Sequence, residues 1–351
     1  MSPPTSPLWL VQHIANAGRG VVASQLLTEG AVVHDSGPPA VHVLFKQYGK
    51  ETCAQCFLWD RGRSLPVREN ELGKVFCSST CQLKWVEEHG EVGVAAWRAL
   101  IVFVRAKGKS SSTDELMADG AKPTTEAIGR AWQTVSEEAE LLRKSRFEAS
   151  MSKQERRTLQ AIQRKLTLAK DPDMLSYFLC GVLYDYTTTP EQRQDILDLA
   201  MDDMPYKTQQ HLDDRCRAFL QLTSLLPPEL LPHLTPEMCL NLERADVHNA
   251  FGLRGGGEDA EEYMGYGLYP SASYFNHSCD ANVHKKRVGR SWEFRAVKDI
   301  MPGEECCITY LGGDEKDLDL AGRRKRLEDV WGFVCQCARC KLEATSLINI
   351  E

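Results

Sequence analysis

Seven of the thirteen cysteines fall into closely spaced groups that could hold metal ions. Cys53-x2-Cys56 and Cys77-x3-Cys81 are two pairs at chelating spacing, and each pair can bind one side of a tetrahedral ion. Four thiolates form a ligand set that suits Zn²⁺. His89 lies nearby and could be a spare ligand, but no cysteine follows it, so a solvated histidine at a helix end is the simpler interpretation. The sequence therefore predicts a zinc site formed by the four cysteines.

A second group of cysteines lies near the end of the chain, as Cys335-x-Cys337-x2-Cys340. It supplies three thiolates, whereas a structural zinc site needs four ligands. Cys279, within the segment SYFNHSCDAN, is a candidate for the fourth. A different interpretation pairs Cys279 with His277 as a hydrolase nucleophile and its base, but no acidic residue that would orient the histidine is evident. We favour a second zinc site, which would tie the chain's end to the NHSC segment.

The other five cysteines are scattered or lie in apolar sequence, and we interpret them as inert core thiols: Cys180, Cys216, Cys239, Cys306 and Cys307. The start, MSPPTSPLWLVQHI, has neither a basic segment nor a long apolar stretch, so no signal peptide is expected. We therefore expect an intracellular protein, in the nucleus, the cytoplasm or both. Disulfides are rare there, which is why clustered cysteines indicate metal binding.

Composition is typical of a globular protein, with 351 residues, 42% hydrophobic and 26% charged, and the length suggests two or three domains. The formal net charge of -7 disfavours non-specific nucleic-acid binding and suits a basic partner. The most apolar stretch, residues 92 to 104, contains Arg98 and is too short to cross a bilayer, so it predicts a buried helix. We expect a monomer that binds neither membrane nor nucleic acid directly.

The hydrophobic pattern predicts the elements that must position these residues. Short strands are expected over residues 8 to 47, helices over most of 90 to 250, and strands again around WEFRAV and CCITYL. Ser78 or Ser79 would cap the helix that follows the first cysteine group. The order is therefore β, cysteine-rich insert, α, β, cysteine-rich tail.

Polar and basic segments are interpreted as loops, nuclear signals or solvated surface. The turn-rich stretches 110–125 and 254–262 predict loops. The basic runs KKR (285–287) and RRKR (323–326) could be nuclear signals. The second run lies in a predicted helix, so a solvated helix face is the favoured explanation.

Three segments together resemble a known family: GLYPSASYFNHSCDAN, then MPGEECCITYL, then GFVCQCARC. They are similar to SET-domain protein lysine methyltransferases, and the order of parts resembles the SET-and-MYND (SMYD-like) subgroup, which has a zinc finger early in the SET domain. The similarity covers most of the chain and is most specific from 266 to 340. It implies an α+β fold, in which a SET-domain β-fold of short strands with a pseudo-knot carries a small zinc-finger insert, a helical insert and a zinc-binding post-SET tail.

The resemblance also implies boundaries for these parts. They are 8–50 for the N-terminal part of the SET domain, 51–90 for a MYND-like finger with one zinc, 91–245 for the helical insert, 246–315 for the core SET domain, and 316–351 for the post-SET helix and zinc tail. The finger is reduced, because the middle cysteine pair and the last cysteine of a full MYND finger are absent. The chain stops 11 residues after Cys340, so no C-terminal helical domain is expected.

The resemblance assigns roles to particular residues. S-adenosylmethionine (AdoMet) would be bound by Gly18, Arg19, Gly20, Asn249, Asn276, His277 and Phe333. Tyr310 would be the active-site tyrosine, and Phe251 would line the lysine channel. Trp331 stands where the family usually has a tyrosine, and it would either enter the channel or pack outward under the tail zinc. In the family Cys279 completes the tail site, and both zinc ions are structural.

The implied activity is AdoMet-dependent N-methylation of a lysine in a basic protein, either a histone tail or another protein. Methyl transfer needs a neutral amine, although the pKa of a free lysine is about 10.4, and a narrow aromatic channel disfavours the charged form by desolvation. The alternative is a catalytically inactive SET-fold scaffold that recruits partners. Tyr310, Asn276 and His277 are all present, which favours the enzyme.

Overall fold

The computed structural model describes residues 4–106, 121–148, 150–255 and 262–348. The chain forms two compact units. The first joins both ends of the chain, Met1–Ala40 and His248–Glu351, and the second is Val41–Val247. The two predicted loops, 110–125 and 254–262, lie largely outside the described residues. Among the helices that are described, none is both long and apolar enough to cross a bilayer.

The described residues form ten short strands and nine α-helices. The strands are β1 (Trp9–Ile14), β2 (Gly18–Ala23), β3 (Val32–Asp35), β4 (Val41–Leu44), β5 (Val67–Glu69), β6 (Lys74–Phe76), β7 (Ala250–Arg254), β8 (Tyr263–Leu268), β9 (Val283–Val288) and β10 (Ser291–Ala296). The helices are α1 (Ser79–Arg105), α2 (Thr125–Phe147), α3 (Lys153–Leu166), α4 (Pro172–Thr187), α5 (Pro190–Leu197), α6 (Gln209–Leu225), α7 (Pro236–Asn249), α8 (Leu320–Trp331) and α9 (Ala338–Ile348).

Short antiparallel pairings build the first unit. β1 pairs with β2, β10 pairs with β3 on one side and with β9 on the other, and β7 pairs with β8. The predicted strand WEFRAV is confirmed by β10, in which Trp292, Phe294 and Ala296 are buried and Arg295 is exposed. Alternate residues of a strand face opposite sides, so this pattern buries one face of the β3-β10-β9 sheet.

The apolar segment CCITYL, expected among the strands, is extended but joins no regular ladder. The Cys306 N–H donates to Val21 O (2.8 Å), and the Ile308 N–H donates to Asn276 O (2.9 Å). His277 and Ile308 form an isolated parallel bridge. A strand needs one partner over several residues, and here the partner changes from one residue pair to the next. The segment thereby joins β2 to the NHSC segment.

The second unit is mostly helical, and its first helix starts at a cysteine group. Ser78, one of the two predicted caps, is the N-cap of α1, and its hydroxyl accepts a hydrogen bond from the Cys81 N–H (3.2 Å). The prediction of a buried helix over 92–104 holds for the face that carries Trp97. It is wrong for the opposite face, since Val102 is 65% exposed. This part of α1 is therefore amphipathic.

The centre of the second unit is α4, which is buried along most of its length. It packs against α1, α6 and a short 3-10 turn that follows α6. Gly181 allows a particularly close approach, because a Cβ at this position would lie 2.3 Å from Leu242 Cδ1. Burial of an apolar side chain of this size stabilises a fold by roughly 2 kcal/mol.

The basic helix α8 is more than a solvated face. Arg323 is only 1% exposed, and its guanidinium donates to the Glu343 carboxylate (2.6 Å) and to Leu318 O (2.7 Å). The interpretation of RRKR as a solvated run is therefore wrong for this arginine. Its burial is explained by the partner from α9, because a buried charge needs a paired and hydrogen-bonded environment.

Candidate active site and zinc centres

The predicted cofactor loop NAGRG is the turn between β1 and β2. Gly18 has a φ of 74°, and a Cβ added there would meet nothing within 4 Å, so this side of the turn is open. At Gly20 a Cβ would lie 2.6 Å from Asn276 Nδ2 and 2.7 Å from Glu305 Oε1. The Asn276 amide donates to Arg19 O (3.2 Å) and to the Glu305 carboxylate (2.8 Å). The structure thus brings the NAGRG loop and Asn276 together, and only glycine fits where they meet.

His277 is held as a neutral ring by the partners of its two nitrogens. The Tyr310 N–H donates to Nδ1 (3.0 Å), so this nitrogen accepts and the proton of the neutral ring lies on Nε2. Nε2 lies 3.3 Å from Cys279 Sγ and donates to it. Burial lowers the pKa of His277 from 6.5 to about 4. The ring is therefore uncharged at physiological pH and works as a positioning group.

These hydrogen bonds exclude the alternative pair of nucleophile and base. A base must accept the thiol proton, but the Nε2 that faces Cys279 already carries a proton, and Nδ1 is occupied by a backbone donor. The sulfur of Cys279 instead lies 3.6 Å from that of Cys340 and 3.8 Å from that of Cys335. Cys279 thus belongs to a cysteine cluster.

Tyr310 presents a neutral hydroxyl within aromatic surroundings. The hydroxyl donates to Phe275 O (3.0 Å), and the ring centre lies 5.3 Å from that of His277. Burial raises the pKa of Tyr310 above its ordinary value, so the phenol stays protonated. A protonated hydroxyl next to a backbone carbonyl is a polar position that can orient an amine.

Trp331 and Phe333 reach Tyr310 from the end of α8. Gly332 between them has a φ of 75°, which ends the helix in the left-handed conformation that glycine adopts easily. The ring of Trp331 lies 5.4 Å and that of Phe333 6.3 Å from the Tyr310 ring. Trp331 also packs against the buried cluster that contains Leu311 and the tail cysteines. Trp331 therefore contacts both Tyr310 and the tail cluster, and its role in narrowing the lysine channel stays a prediction.

Phe251 and Tyr310 share a neighbour, Lys285, which the sequence interpretation did not single out. Phe251 lies on β7 and packs against Trp292 at 5.7 Å. The ammonium of Lys285 lies 5.4 Å from the Phe251 ring centre, 5.8 Å from that of Trp292 and 6.0 Å from that of Tyr310. Asn249, two residues before Phe251, is buried at the end of α7.

The tail cysteines and Cys279 form a cluster that fits one zinc ion. The four sulfur atoms of Cys279, Cys335, Cys337 and Cys340 all lie within 4.8 Å of one another. Tetrahedral Zn–S bonds of about 2.3 Å require sulfur separations of about 3.8 Å, close to those given above for Cys279. Hydrogen bonds from neighbouring thiols hold the pKa of Cys337 well below its usual range. One thiolate is therefore stabilised by the cluster itself.

The second cluster, in the other unit, also fits one zinc ion. Cys53, Cys56, Cys77 and Cys81 lie within the same 4.8 Å limit, and none of them forms a disulfide. The hydrogen bond from Cys56 lowers the pKa of Cys53 to about 5. His89 is not part of this cluster, because its ring stacks on Trp85 at 3.9 Å. The predicted site of four cysteines is confirmed as a group that can hold one ion.

The remaining cysteines carry no such arrangement. Cys180, Cys216, Cys239 and Cys306 are buried, and Cys307 is partly buried. Burial raises the pKa of Cys216 and of Cys306 to about 12. The thiols of Cys216 and Cys306 therefore stay protonated, which agrees with their interpretation as inert.

The chain belongs to the SET domain family, because a model of the SET domain matches residues 18–311. The two cysteine clusters accompany this domain, one inside the range of the match and one partly beyond it.

Three relatives show how the similarity is distributed. The chain is 43% identical over 131 residues to "Potential protein lysine methyltransferase SET6" of Saccharomyces cerevisiae and 31% identical over 142 residues to "Histone-lysine N-methyltransferase ASHR2" of Arabidopsis thaliana. Each match covers 37% of this chain and 35% of the relative. It is also 44% identical over 80 residues to "Histone-lysine N-methyltransferase SMYD3" of Homo sapiens, which covers 23% of this chain and 18% of that protein. The chain thus spans about a third or less of the length of these relatives.

Glu305 and Lys285 contact predicted site residues, and sequence interpretation missed both. Glu305 lies inside the quoted segment MPGEECCITYL, and its contact with Asn276 spans 29 positions of sequence. Lys285 stands in a basic run, which gave no reason to place it among aromatic rings. Only the pairing of β9 with β10, which carries Trp292, signals that Lys285 and Trp292 are neighbours.

Proposed function

We propose that this chain is an AdoMet-dependent protein-lysine N-methyltransferase. The observation that carries the proposal is the neutral Tyr310 hydroxyl, which donates to Phe275 O while its ring contacts His277, Trp331 and Phe333. The SET family match and the printed names of the relatives support the same activity.

The residues next to Tyr310 fit AdoMet, which would supply a methyl group on a positively charged sulfur. The open turn at Gly18 and the exposed guanidinium of Arg19, which lies 5.1 Å from the Tyr274 ring centre, suit a ligand with a carboxylate. Phe333 offers a ring face for adenine. These residues would hold the cofactor.

The chain's own residues would orient the amine and keep water out. Aromatic side chains around Tyr310 disfavour a charged lysine by desolvation, while their π faces partly offset this cost. The Tyr310 hydroxyl would align the amine, so that most of the rate gain comes from orientation. The proton of the lysine would leave to water. The zinc ions would hold the fold and take no part in the reaction.

The substrate class is proposed from charge. The net charge of -7 suits a basic protein, such as a histone tail or another lysine-rich segment. The cysteines are all free, which suits the predicted intracellular location.

Incubation of cell extract with the purified chain and AdoMet labelled on its methyl group tests the proposal. We expect labelled proteins with the wild type and far fewer with Tyr310→Phe. Titration with AdoMet is the second measurement. A chain that binds no AdoMet and labels nothing is a scaffold, and this result would overturn the proposal.

A further inference from the structure

A lysine of the chain itself occupies the aromatic surroundings of Tyr310. Lys285 is partly buried on β9, and its ammonium donates to Thr309 O (3.0 Å). Three ring centres lie within 6.0 Å of Nζ, those of Phe251, Trp292 and Tyr310. This is the distance range at which a cation is attracted by a ring face. The three rings form what we call the Lys285 cage.

The cage contains Phe251, which the family resemblance assigns to the lysine channel, and Tyr310, the proposed active-site tyrosine. Phe251 comes from β7 and Tyr310 follows the segment CCITYL, so the two rings are brought together from different parts of the first unit. Lys285 Nζ lies within 6.0 Å of both ring centres. An ammonium from a protein substrate would need the same aromatic surroundings. The side chain of Lys285 therefore stands where a substrate lysine is expected.

The geometry of β9 gives Lys285 different surroundings from the two basic residues that follow it. Alternate residues of β9 face opposite sides, and Lys286 is exposed. The side chain of Arg287 lies on the same face of β9 as that of Lys285. Its guanidinium, however, donates to Arg254 O (2.9 Å) and to Gly289 O (2.7 Å), at the outer end of the hairpin. Among these consecutive basic residues, Lys285 is the one whose ammonium meets the Tyr310 ring.

We propose that Lys285 is a methylation site of the chain itself, modified in cis by its own active site. This inference rests on the proposed function. Until it is displaced, Lys285 also competes with a substrate lysine for the cage.

The reaction at Lys285 is a simple displacement. Its ammonium loses a proton to water, and the lone pair of Nζ forms a bond to the methyl carbon of AdoMet. The bond between sulfur and that methyl breaks, and its electron pair stays on sulfur, which leaves as S-adenosylhomocysteine (AdoHcy). The sulfonium of bound AdoMet would disfavour a second positive charge beside it and so would favour the neutral amine. The Thr309 carbonyl can accept a hydrogen bond from either form of the amine.

Mass spectrometry of the purified chain, incubated with AdoMet and no other protein, tests the site. We expect peptides that contain a methylated Lys285, in a fraction that rises with time and whose rate does not depend on protein concentration. Lys285→Arg keeps the charge in the cage, and we expect it to lower self-methylation by more than about tenfold. Lys286→Arg is the matched control and should leave self-methylation unchanged. Methylation that falls equally in both variants, or that rises with protein concentration, would overturn the assignment.

Cofactor affinity gives a readout that does not depend on catalysis. AdoMet carries a positive charge on sulfur, whereas AdoHcy is neutral there. If Lys285 Nζ lies within reach of that sulfur, its charge weakens the binding of AdoMet more than that of AdoHcy. Lys285→Met should therefore raise the affinity for AdoMet relative to AdoHcy by several-fold, and Lys286→Met should not. An unchanged ratio in Lys285→Met would place the ammonium too far from the cofactor and would overturn the proposal.

The two proposals can fail separately. Labelled substrates in extract together with an unmethylated Lys285 would overturn self-methylation and leave the methyltransferase intact. No labelling anywhere and no AdoMet binding would overturn both.

Discussion

The backbone N–H of Tyr310 donates a 3.0 Å hydrogen bond to Nδ1 of His277, and the other nitrogen of that histidine donates to Cys279 Sγ. The proposed active-site tyrosine is thus joined to a zinc ligand through one neutral imidazole. Because the bond uses the backbone of Tyr310, it sets the position of the residue without occupying the hydroxyl. The cysteine cluster and the tyrosine are therefore parts of one hydrogen-bonded unit.

Tyr310→Phe should separate catalysis from cofactor binding. The substitution removes the hydroxyl that donates to Phe275 O and changes little volume. We expect turnover to fall by about 10- to 1000-fold, which corresponds to about 1.4 to 4 kcal/mol, while AdoMet affinity stays nearly unchanged. Steady-state kinetics and calorimetric titration measure the two quantities. Unchanged turnover would remove Tyr310 from the catalytic role.

Metal analysis should give two zinc ions per chain, because the described residues contain two groups of cysteines that can each hold one. Cys337→Ser should remove one ion and lower the melting temperature. It should also weaken AdoMet binding, since Phe333 lies between Gly332 and the tail cysteines and loses its anchor.

Cys239→Ala is the matched control for this prediction, because Cys239 is buried and lies outside both clusters. It should keep both zinc ions and normal AdoMet affinity. If Cys337→Ser loses zinc but binds AdoMet like the wild type, the tail does not form part of the cofactor site.

Much of the metal chemistry could be predicted from spacing alone. Cys53 and Cys56 are close enough in sequence that any compact local fold brings their sulfurs together. The same holds for Cys335 and Cys337. Cys279 could be assigned only because the three tail cysteines leave one position of a four-ligand site unfilled. The structure shows the contact itself, between Cys279 and Cys340, which are 61 positions apart in sequence.

The surroundings of charged residues were harder to predict. Arg323 and Lys285 both belong to basic runs, which usually face solvent. Arg323 is buried because Glu343 approaches from α9, and Lys285 is partly buried because Phe251 and Trp292 approach from other strands. Such partners are set by tertiary packing, so no local pattern reports them.

Stability should fall in acid partly through His34. Burial lowers its pKa from 6.5 to about 4, although nearby Asp35 acts in the opposite direction. Between these values the unfolded chain binds a proton that the folded chain does not, so stability is retained above pH 6.5 and is lost as the pH falls towards 4. A shift of this size corresponds to roughly 3 kcal/mol.

His34→Gln should flatten this part of the pH dependence, because an amide can still meet Ser271 Oγ, which lies 3.0 Å from His34 Nε2, but does not titrate. Denaturant unfolding at pH 7 and pH 5 gives the change in the free energy of unfolding for the variant and for the wild type. Any release of zinc in acid affects both proteins equally, so it cancels when the two changes are compared. His13→Gln, at an exposed histidine, is the control and should keep the wild-type slope. Equal slopes for His34→Gln and the wild type would contradict the prediction.

Trp331 should limit the number of methyl groups that are added. Its ring lies 5.4 Å from that of Tyr310 and is larger than the tyrosine usual in the family, so it leaves less room around the amine. A lysine that already carries a methyl group must place it while turning its lone pair towards sulfur. We therefore expect mainly monomethylated product from the wild type and more di- and trimethylated product from Trp331→Tyr.

Mass spectrometry of the product, on a substrate protein found by labelling of extract, measures this distribution. Trp59→Tyr makes the same chemical change in the second unit and should leave the distribution as in the wild type. The Trp331 ring also packs against Leu311 and the tail cysteines, so the melting temperature of Trp331→Tyr must be followed as well. If a folded Trp331→Tyr gives the wild-type distribution, or if the wild type readily makes trimethyl-lysine, the indole acts as packing under the tail and does not restrict the channel.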